Sequence, residues 1–256
     1  IGCFLALLVW SIVRDSPETV TQGHKFQSPP KKSELKRLQQ VCRNRQTWLI
    51  ALYSFAIWAP ITAFAALWGI PFLVASYGLT TEAASIASAM IWLGIGLGSP
   101  LMGWYSDKIG SRSKPLSLSA LLGIISLTII IYAPPLSLPW LYFTLFTFGL
   151  AASGQSLAFG VVKDNNTSCV VGTAIGFNNM AVVAGGALFQ PLIGILLYVN
   201  WSGVTHNGTP FYGIVDYQKA FFVLPLCYVL ALLVSQFLLR ETYCKSQYSN
   251  ESASAI

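Results

Sequence analysis

Six stretches of this chain contain no Lys, Arg, Asp, Glu or His: residues 48–74, 83–104, 115–133, 139–162, 169–199 and 220–239. Each is close to or longer than the roughly twenty apolar residues that a helix needs to cross a bilayer. Charged residues make up 9% of the chain and apolar residues 54%, whereas an ordinary soluble domain is about a quarter charged. Lipid is therefore the solvent. The expected fold class is all-α: a polytopic membrane protein with six transmembrane helices in residues 47–240, preceded by the tail of an earlier helix at 1–13. That first apolar stretch is too short to span and has neither a basic leader nor a small-residue cleavage site, so it does not read as a signal peptide. It implies that an N-terminal portion of the protein precedes it.

The cations give an orientation. With alternating crossings, fourteen of the fifteen Lys and Arg residues fall in one set of loops, and only Lys219 falls in the other. Positive residues stay inside, so loops 14–46, 105–114 and 163–168 and the tail 241–256 are expected in the cytoplasm. Membrane topology thus accounts for the net charge of +6, and no motif points to nucleic acid. Within the basic linker 14–46, a Pro-Pro stop at Pro29-Pro30 is followed by Ser33 as a cap and by Leu35, Leu38 and Val41 or Cys42 on one face. This predicts a short amphipathic helix on the inner leaflet. The five cysteines are scattered and odd in number, and read as small apolar fillers.

Between the second and third spans lies Gly103-Trp104-Tyr105-Ser106-Asp107-Lys108-Ile109-Gly110-Ser111-Arg112-Ser113-Lys114. This segment resembles the G-x-x-x-D-x-x-G-x-R loop signature of the major facilitator superfamily. Three further segments resemble bacterial members of that family: Val13-Arg14-Asp15-Ser16-Pro17-Glu18 the end of their sixth helix, Gly172 to Gly194 their eleventh, and Ala220 to Cys244 their twelfth with its exit. The resemblance implies helices seven to twelve of a twelve-helix transporter in the cell inner membrane, whose N-terminal six-helix half is missing here. It also implies a gating loop in which Gly103 lets two helices approach, Asp107 pairs with a cation or with the start of the fifth span near Thr167–Cys169, Gly110 turns the chain, and Arg112 holds the loop at the cytoplasmic side. The function implied is secondary transport of a small solute, an organic anion, sugar or small peptide, by alternating access.

Helix chemistry is compatible with a packed, moving bundle. Gly94 and Gly98, Gly149 and Ser153, and Gly172 and Gly176 are small-x-x-x-small pairs that permit close contact. Pro60, Pro71, Pro100 and Pro191 interrupt spans and free backbone carbonyls. Candidates for a substrate cavity are Tyr53, Trp58 and Thr62 in the first span, Gln155 and Ser156 in the fourth, and Asn178 and Asn179 in the fifth. The buried amides Gln155, Asn178 and Asn179 are the stronger ones, because an amide in lipid needs a partner or a wet cavity. Interhelical hydrogen bonding is the competing role for each. His24 and His206 stand in loops with no metal or catalytic set, so no cofactor or metal is expected. The Asn165, Asn166, Asn200, Asn207 and Asn250 sequons fall on both sides of the membrane and are not expected to carry glycans. Two rival readings remain open: a half-size membrane protein that binds without transporting, and a membrane enzyme. The second lacks any constellation of carboxylate, histidine and nucleophile.

Overall fold

The computed structural model describes residues 2–12, 34–206 and 209–246. The chain divides into two units, one up to Glu34 and one from Leu35 onward. The first contains a single described helix, α1 (Gly2–Ile12). Most of the linker, including the expected Ser33 cap, lies outside the described residues, as do Asn207, Asn250 and the tail from 247.

The second unit opens with α2 (Glu34–Arg43), of which Val41 is buried while Leu35 and Leu38 remain exposed. Six helices long and apolar enough to cross a membrane follow: α3 (Arg45–Tyr77), α4 (Thr81–Ile109), α5 (Ser113–Tyr132), α6 (Leu138–Asp164), α7 (Val171–Asn200) and α8 (Ile214–Leu238). Their boundaries follow local chemistry. Asn44 caps α3 by accepting from the Gln46 N–H at 3.0 Å, and Thr80 caps α4 through the Ala83 N–H at 3.2 Å. Gly78 at φ 64° and Gly110 at φ 60° end α3 and α4 in the left-handed conformation that glycine adopts at least cost. The fifth span begins two residues later than expected and the sixth six residues earlier. At the start of α8, Asp216 binds the Gly213 N–H at 2.9 Å and so caps the helix. A two-residue antiparallel ladder pairs Thr205 with Pro210 and His206 with Thr209 between α7 and α8.

The core is set by which helices are enclosed. In α3 and α6, 67% of the apolar window is buried, against 33% in α4 and 22% in α7. An aromatic cluster links the enclosed helices to α8, with Phe64 of α3 edge-on to Phe148 of α6 at 5.9 Å and to Phe221 of α8 at 5.7 Å. After Pro60, α3 widens into a π-helical turn over Ile61–Trp68. Proline supplies no N–H to the preceding turn, and a wide turn absorbs the mismatch. A Cβ on Gly69 would lie 2.6 Å from the Phe64 carbonyl oxygen, so this turn closes only on glycine.

The closest helix crossing joins α4 to α6. A Cβ on Gly94 would overlap the Phe146 carbonyl oxygen, one on Gly149 would overlap the Ile91 carbonyl oxygen, and one on Gly98 would overlap the Ser153 hydroxyl. The first two small-residue pairs therefore interlock with each other, backbone against backbone. Gly172 and Gly176 share the same spacing, yet a Cβ on either would meet nothing within 4 Å, so both face open space. The expected contact fails there because spacing marks a smooth face but supplies no partner. A Cβ on Gly103 would likewise meet nothing within 4 Å, so the close approach expected at that position lies earlier in the helix, at Gly94 and Gly98.

Gly94→Ala or Gly149→Ala should lower stability by about 1–3 kcal/mol, because the obstructing atom is backbone and cannot rotate away. Gly176→Ala should be neutral or slightly stabilising. Thermal denaturation of the three variants in detergent checks this ranking, and equal midpoints would disprove the crossing.

Candidate functional site

Two polar assemblies stand out. The first closes the end of the bundle that holds the cations. Helix α4 runs on through Ile109, so Asp107 sits in its last turn and the loop proper is reduced to Gly110, Ser111 and Arg112. Arg112 donates from Nε to Asp164 Oδ2 at 3.1 Å, and from Nη1 to Asp107 Oδ1 at 3.0 Å and Ser106 Oγ at 3.1 Å. Asp164, at the end of α6, also accepts from the Thr242 hydroxyl at 3.1 Å. The side chain of Asp107 is 68% exposed and that of Asp164 only 10%, so the Asp164 pair is the less screened of the two. Burial alone would lower the Arg112 guanidinium, but the Asp164 and Asp107 carboxylates hold it above its ordinary value.

The sequence pairs Asp107 with a cation or with the start of the fifth span; the structure places it on Arg112. The fifth span starts at Val171, and the preceding Thr167 accepts instead from Gln40 of α2 at 3.5 Å. Asn44 reaches the same turn, donating to the Asn165 carbonyl at 2.8 Å, while the buried Asn165 and Asn166 amides return to the Val161 and Val162 carbonyls at 2.9 Å each. Both asparagines thus cap the C-terminal end of α6.

At this end of the bundle the N-terminus of α5 receives a carboxylate, and it belongs to Glu241. Its Oε1 accepts from the Arg112 N–H at 2.8 Å, and its Oε2 from the Ser113 N–H at 3.0 Å and the Ser111 hydroxyl at 2.6 Å. The Thr242 and Tyr243 N–H groups add two further bonds to Oε1 at 3.0 Å each. Burial alone would raise the Glu241 carboxyl, but these donors pull it down to about 2. To bring the tail into this position, Tyr243 and Cys244 adopt φ of 53° and 58°, a left-handed geometry that costs a residue with a side chain of order 1 kcal/mol or more. The sequence marks Arg240-Glu241-Thr242 as the exit of the last span but assigns Glu241 no role. Nothing in the local sequence names a cap that lies 128 residues away.

The second assembly lies within the membrane. The Tyr53 hydroxyl donates to the Leu116 carbonyl at 2.9 Å and the ring is fully buried. Ser119 donates to the Ala151 carbonyl, and Gly154 leaves the space that the Tyr53 and Ser119 hydroxyls occupy. Trp58 packs half-buried against the core. Thr62 donates to the Trp58 and Ala59 carbonyls, and its own carbonyl accepts from Gln190 Nε2 at 2.9 Å. Gln190, which is not among the expected site residues, also accepts from Trp68 Nε1 at 3.1 Å through its backbone carbonyl. Ser156 is exposed and bonds Ser99 of α4 at 2.9 Å, and Asn179 lies on the exposed face of α7. Gln155 and Asn178 stand apart: both are buried, and neither the nitrogen nor the oxygen of either amide has a hydrogen-bond partner.

Counted along their helices, these two amides stand at similar depths. At 1.5 Å per residue, Gln155 lies about 13 Å from the end of α6 and Asn178 about 10 Å from the start of α7, both measured from the cation-rich end. The sequence pattern of the Major Facilitator Superfamily matches this chain over residues 1–190 and, in a second overlapping placement, over 64–254. The chain belongs to the major facilitator superfamily. It is a multi-pass membrane protein of a transporter family, with a small molecule as the class of substrate. None of the curated proteins compared with it matches. In this superfamily member the charge cluster joins the ends of α4, α5, α6 and α8 in one place.

Glu241→Gln should lower stability by about 0.5–2 kcal/mol, the usual range for a lost helix cap, because an amide nitrogen cannot accept the bonds that a carboxylate oxygen does. The folded carboxyl titrates below the ordinary carboxylate value of about 4.3. Its contribution is therefore present above that value and is lost as pH falls through about 2. Denaturation followed from pH 6 to pH 2 should show the wild type losing its advantage over the variant, and parallel curves would refute the cap.

Proposed function

We propose that this chain forms a six-helix half of a secondary active transporter that moves a small polar solute by alternating access. The observation that supports this reading best is the pair Gln155 and Asn178, whose four amide atoms are buried in a membrane-spanning bundle without a partner. An unsatisfied amide costs about 1–3 kcal/mol, a penalty that a static bundle would shed by substituting apolar side chains. In an alternating cycle the penalty belongs to one state only. When α3, α6 and α7 part at this level, water or solute supplies the missing bonds. No Lys, Arg, Asp, Glu or His lies deep in the six spans, so recognition at this level is by hydrogen bonds. Any charge that would recognise an organic anion, and any ion coupling, would then come from the second half of the transporter.

The uneven burial of the helices supports a second half. Helices α4 and α7 keep most of their membrane windows uncovered, while α3 and α6 are enclosed. A second six-helix bundle set against α7 and the Ser99 face of α4, leaving the Leu101 and Trp104 face to lipid, would cover them and complete a midplane site. In this reading the gating residues Gly103, Asp107, Gly110 and Arg112 act together with Asp164 and Glu241 as a lock on one access state, and Tyr53, Trp58, Thr62, Ser156 and Asn179 support the walls around the two amides. The cation-rich end faces the cytoplasm of a bacterial inner membrane, with α2 lying on the lipid surface through Leu35 and Leu38.

Gln155→Leu and Asn178→Leu separate transport from packing. Both variants should be at least as heat-stable as the wild type, since an orphaned amide is removed. Uptake of whichever sugar, dipeptide or carboxylate stabilises the wild type in a thermal-shift screen should fall at least roughly tenfold, the equivalent of about 1.4 kcal/mol. Unchanged uptake would reject the cavity assignment.

Orientation is read by cysteine labelling in a background without the five native thiols. Ser111 is buried and would resist any reagent, so the exposed Lys163 is the proper inside probe. Ser137→Cys should react with an impermeant maleimide added to whole cells, and Lys163→Cys only after permeabilisation. The reverse pattern would invert the topology.

A further inference from the structure

An apolar cavity of about 300 Å³ opens between α4, α5 and α6, lined by Gly98, Leu101 and Trp104 of α4, Leu118 and Leu122 of α5, and Leu150 of α6. Leu101, Trp104 and Leu118 are exposed, so the cavity faces outward, and within a spanning segment that surrounding is lipid. Gly98 and Leu150 line it where α4 crosses α6. The volume lies at the small end of the range for ligand sites.

Helical spacing puts positive charge at one end of this cavity. On α4, Lys108 follows Trp104 by four residues and Leu101 by seven; on α5, Lys114 precedes Leu118 by four and Leu122 by eight. Residues so spaced share a helix face, so each wall of the cavity continues, one turn toward the cation-rich end, into a lysine. The Lys108 ammonium stands over the Trp104 ring, 4.8 Å from its centre, in the position that a tryptophan takes at a membrane interface. Neither lysine joins an ion pair among the described residues. The neighbouring Arg112 is engaged by Asp164 and Asp107 and is not free for an outside anion, so the exposed Lys108 and Lys114 are the available cations beside the cavity.

We propose that this cavity binds an anionic phospholipid, one acyl chain lying between Leu101, Leu118, Leu122 and Leu150 and the phosphate lying between Lys108 and Lys114. The apolar lining matches a hydrocarbon chain, and burial of methylenes supplies the anchor. The paired lysines favour a headgroup with net negative charge over a zwitterionic one, in which the attached cation offsets the phosphate. The site is separate from Gln155 and Asn178, and the proposal does not rest on the transport reading.

The test is native mass spectrometry of the full-length protein released from detergent with equimolar dioleoyl phosphatidylglycerol and dioleoyl phosphatidylcholine. The wild type should retain one phosphatidylglycerol in at least roughly fivefold preference, and Lys108→Gln with Lys114→Gln should abolish that preference, each lysine being worth about fivefold. Leu122→Trp, which fills the cavity, should reduce retention of both lipids; if it does not fold, Leu101→Trp at the exposed rim takes its place. Equal retention of the two lipids by the wild type, no retained lipid, or unchanged phosphatidylglycerol binding in the double lysine variant would overturn the proposal. Loss on lysine replacement without loss on cavity filling would overturn the acyl-chain placement. The readout is lipid rather than solute, so failure here leaves the transport assignment standing.

Discussion

Without water in a bilayer core, every polar atom in a span must be satisfied inside the bundle, and most of this architecture follows from that constraint. Serine and threonine hydroxyls turn back onto carbonyls of their own helices, as Ser126, Thr144 and Thr147 do toward Leu122, Trp140 and Phe143. The Tyr53 hydroxyl and the Gln190 amide instead bridge helices. The Ser54, Ser76, Tyr77 and Tyr228 hydroxyls also lack a partner, but only Gln155 and Asn178 among the described residues leave both a donor and an acceptor of an amide unmet. Association of the helices cannot come from expelling water, so it relies on contact, and the Gly94–Gly149 crossing brings α4 and α6 together as closely as two backbones allow.

At the cation-rich end the constraint relaxes and charge takes over. Three carboxylates from three places in the chain, Asp107, Asp164 and Glu241, converge on the Arg112 segment and divide its groups: side chain to the two aspartates, backbone N–H to the glutamate. The tail beyond α8 thereby becomes part of the α4–α5 turn. The Arg112–Asp164 contact and the Thr242 hydroxyl on Asp164 tie α6 to this turn, whereas the Glu241 cap ties the tail to α5.

The six spans and the charge asymmetry are legible in the sequence because lipid imposes a composition that no soluble context would tolerate. The loop motif around Asp107 is legible too, and Gly110 turns the chain there. Less can be read wherever the partner is remote. Gly94–Gly98 and Gly172–Gly176 carry the same local pattern, yet the first pair meets another helix and the second meets none, since a pattern describes one surface and a contact needs two. Glu241 is hidden for the same reason: its five donors include backbone groups more than a hundred residues earlier. Among the cavity candidates, the structure separates residues with internal partners, such as Tyr53 and Thr62, from the two amides without one, a distinction that depends on packing alone.

The π-helical turn after Pro60 has a consequence for registry. Helix α3 touches α7 at Ala59, against Gly185, and again at Trp68, against Gly194. In a regular α-helix of 3.6 residues per turn, nine residues rotate a side chain through about 900°, which leaves it on the opposite face. The wide turn advances fewer degrees per residue, and that slower winding returns Trp68 to the face of Ala59. Uniform α-helical winding of the same residues would instead turn Trp68 and the residues after it away from α7, while each individual side chain kept its chemistry. The turn works as a phase correction, letting one helix follow another over more length than uniform winding would permit.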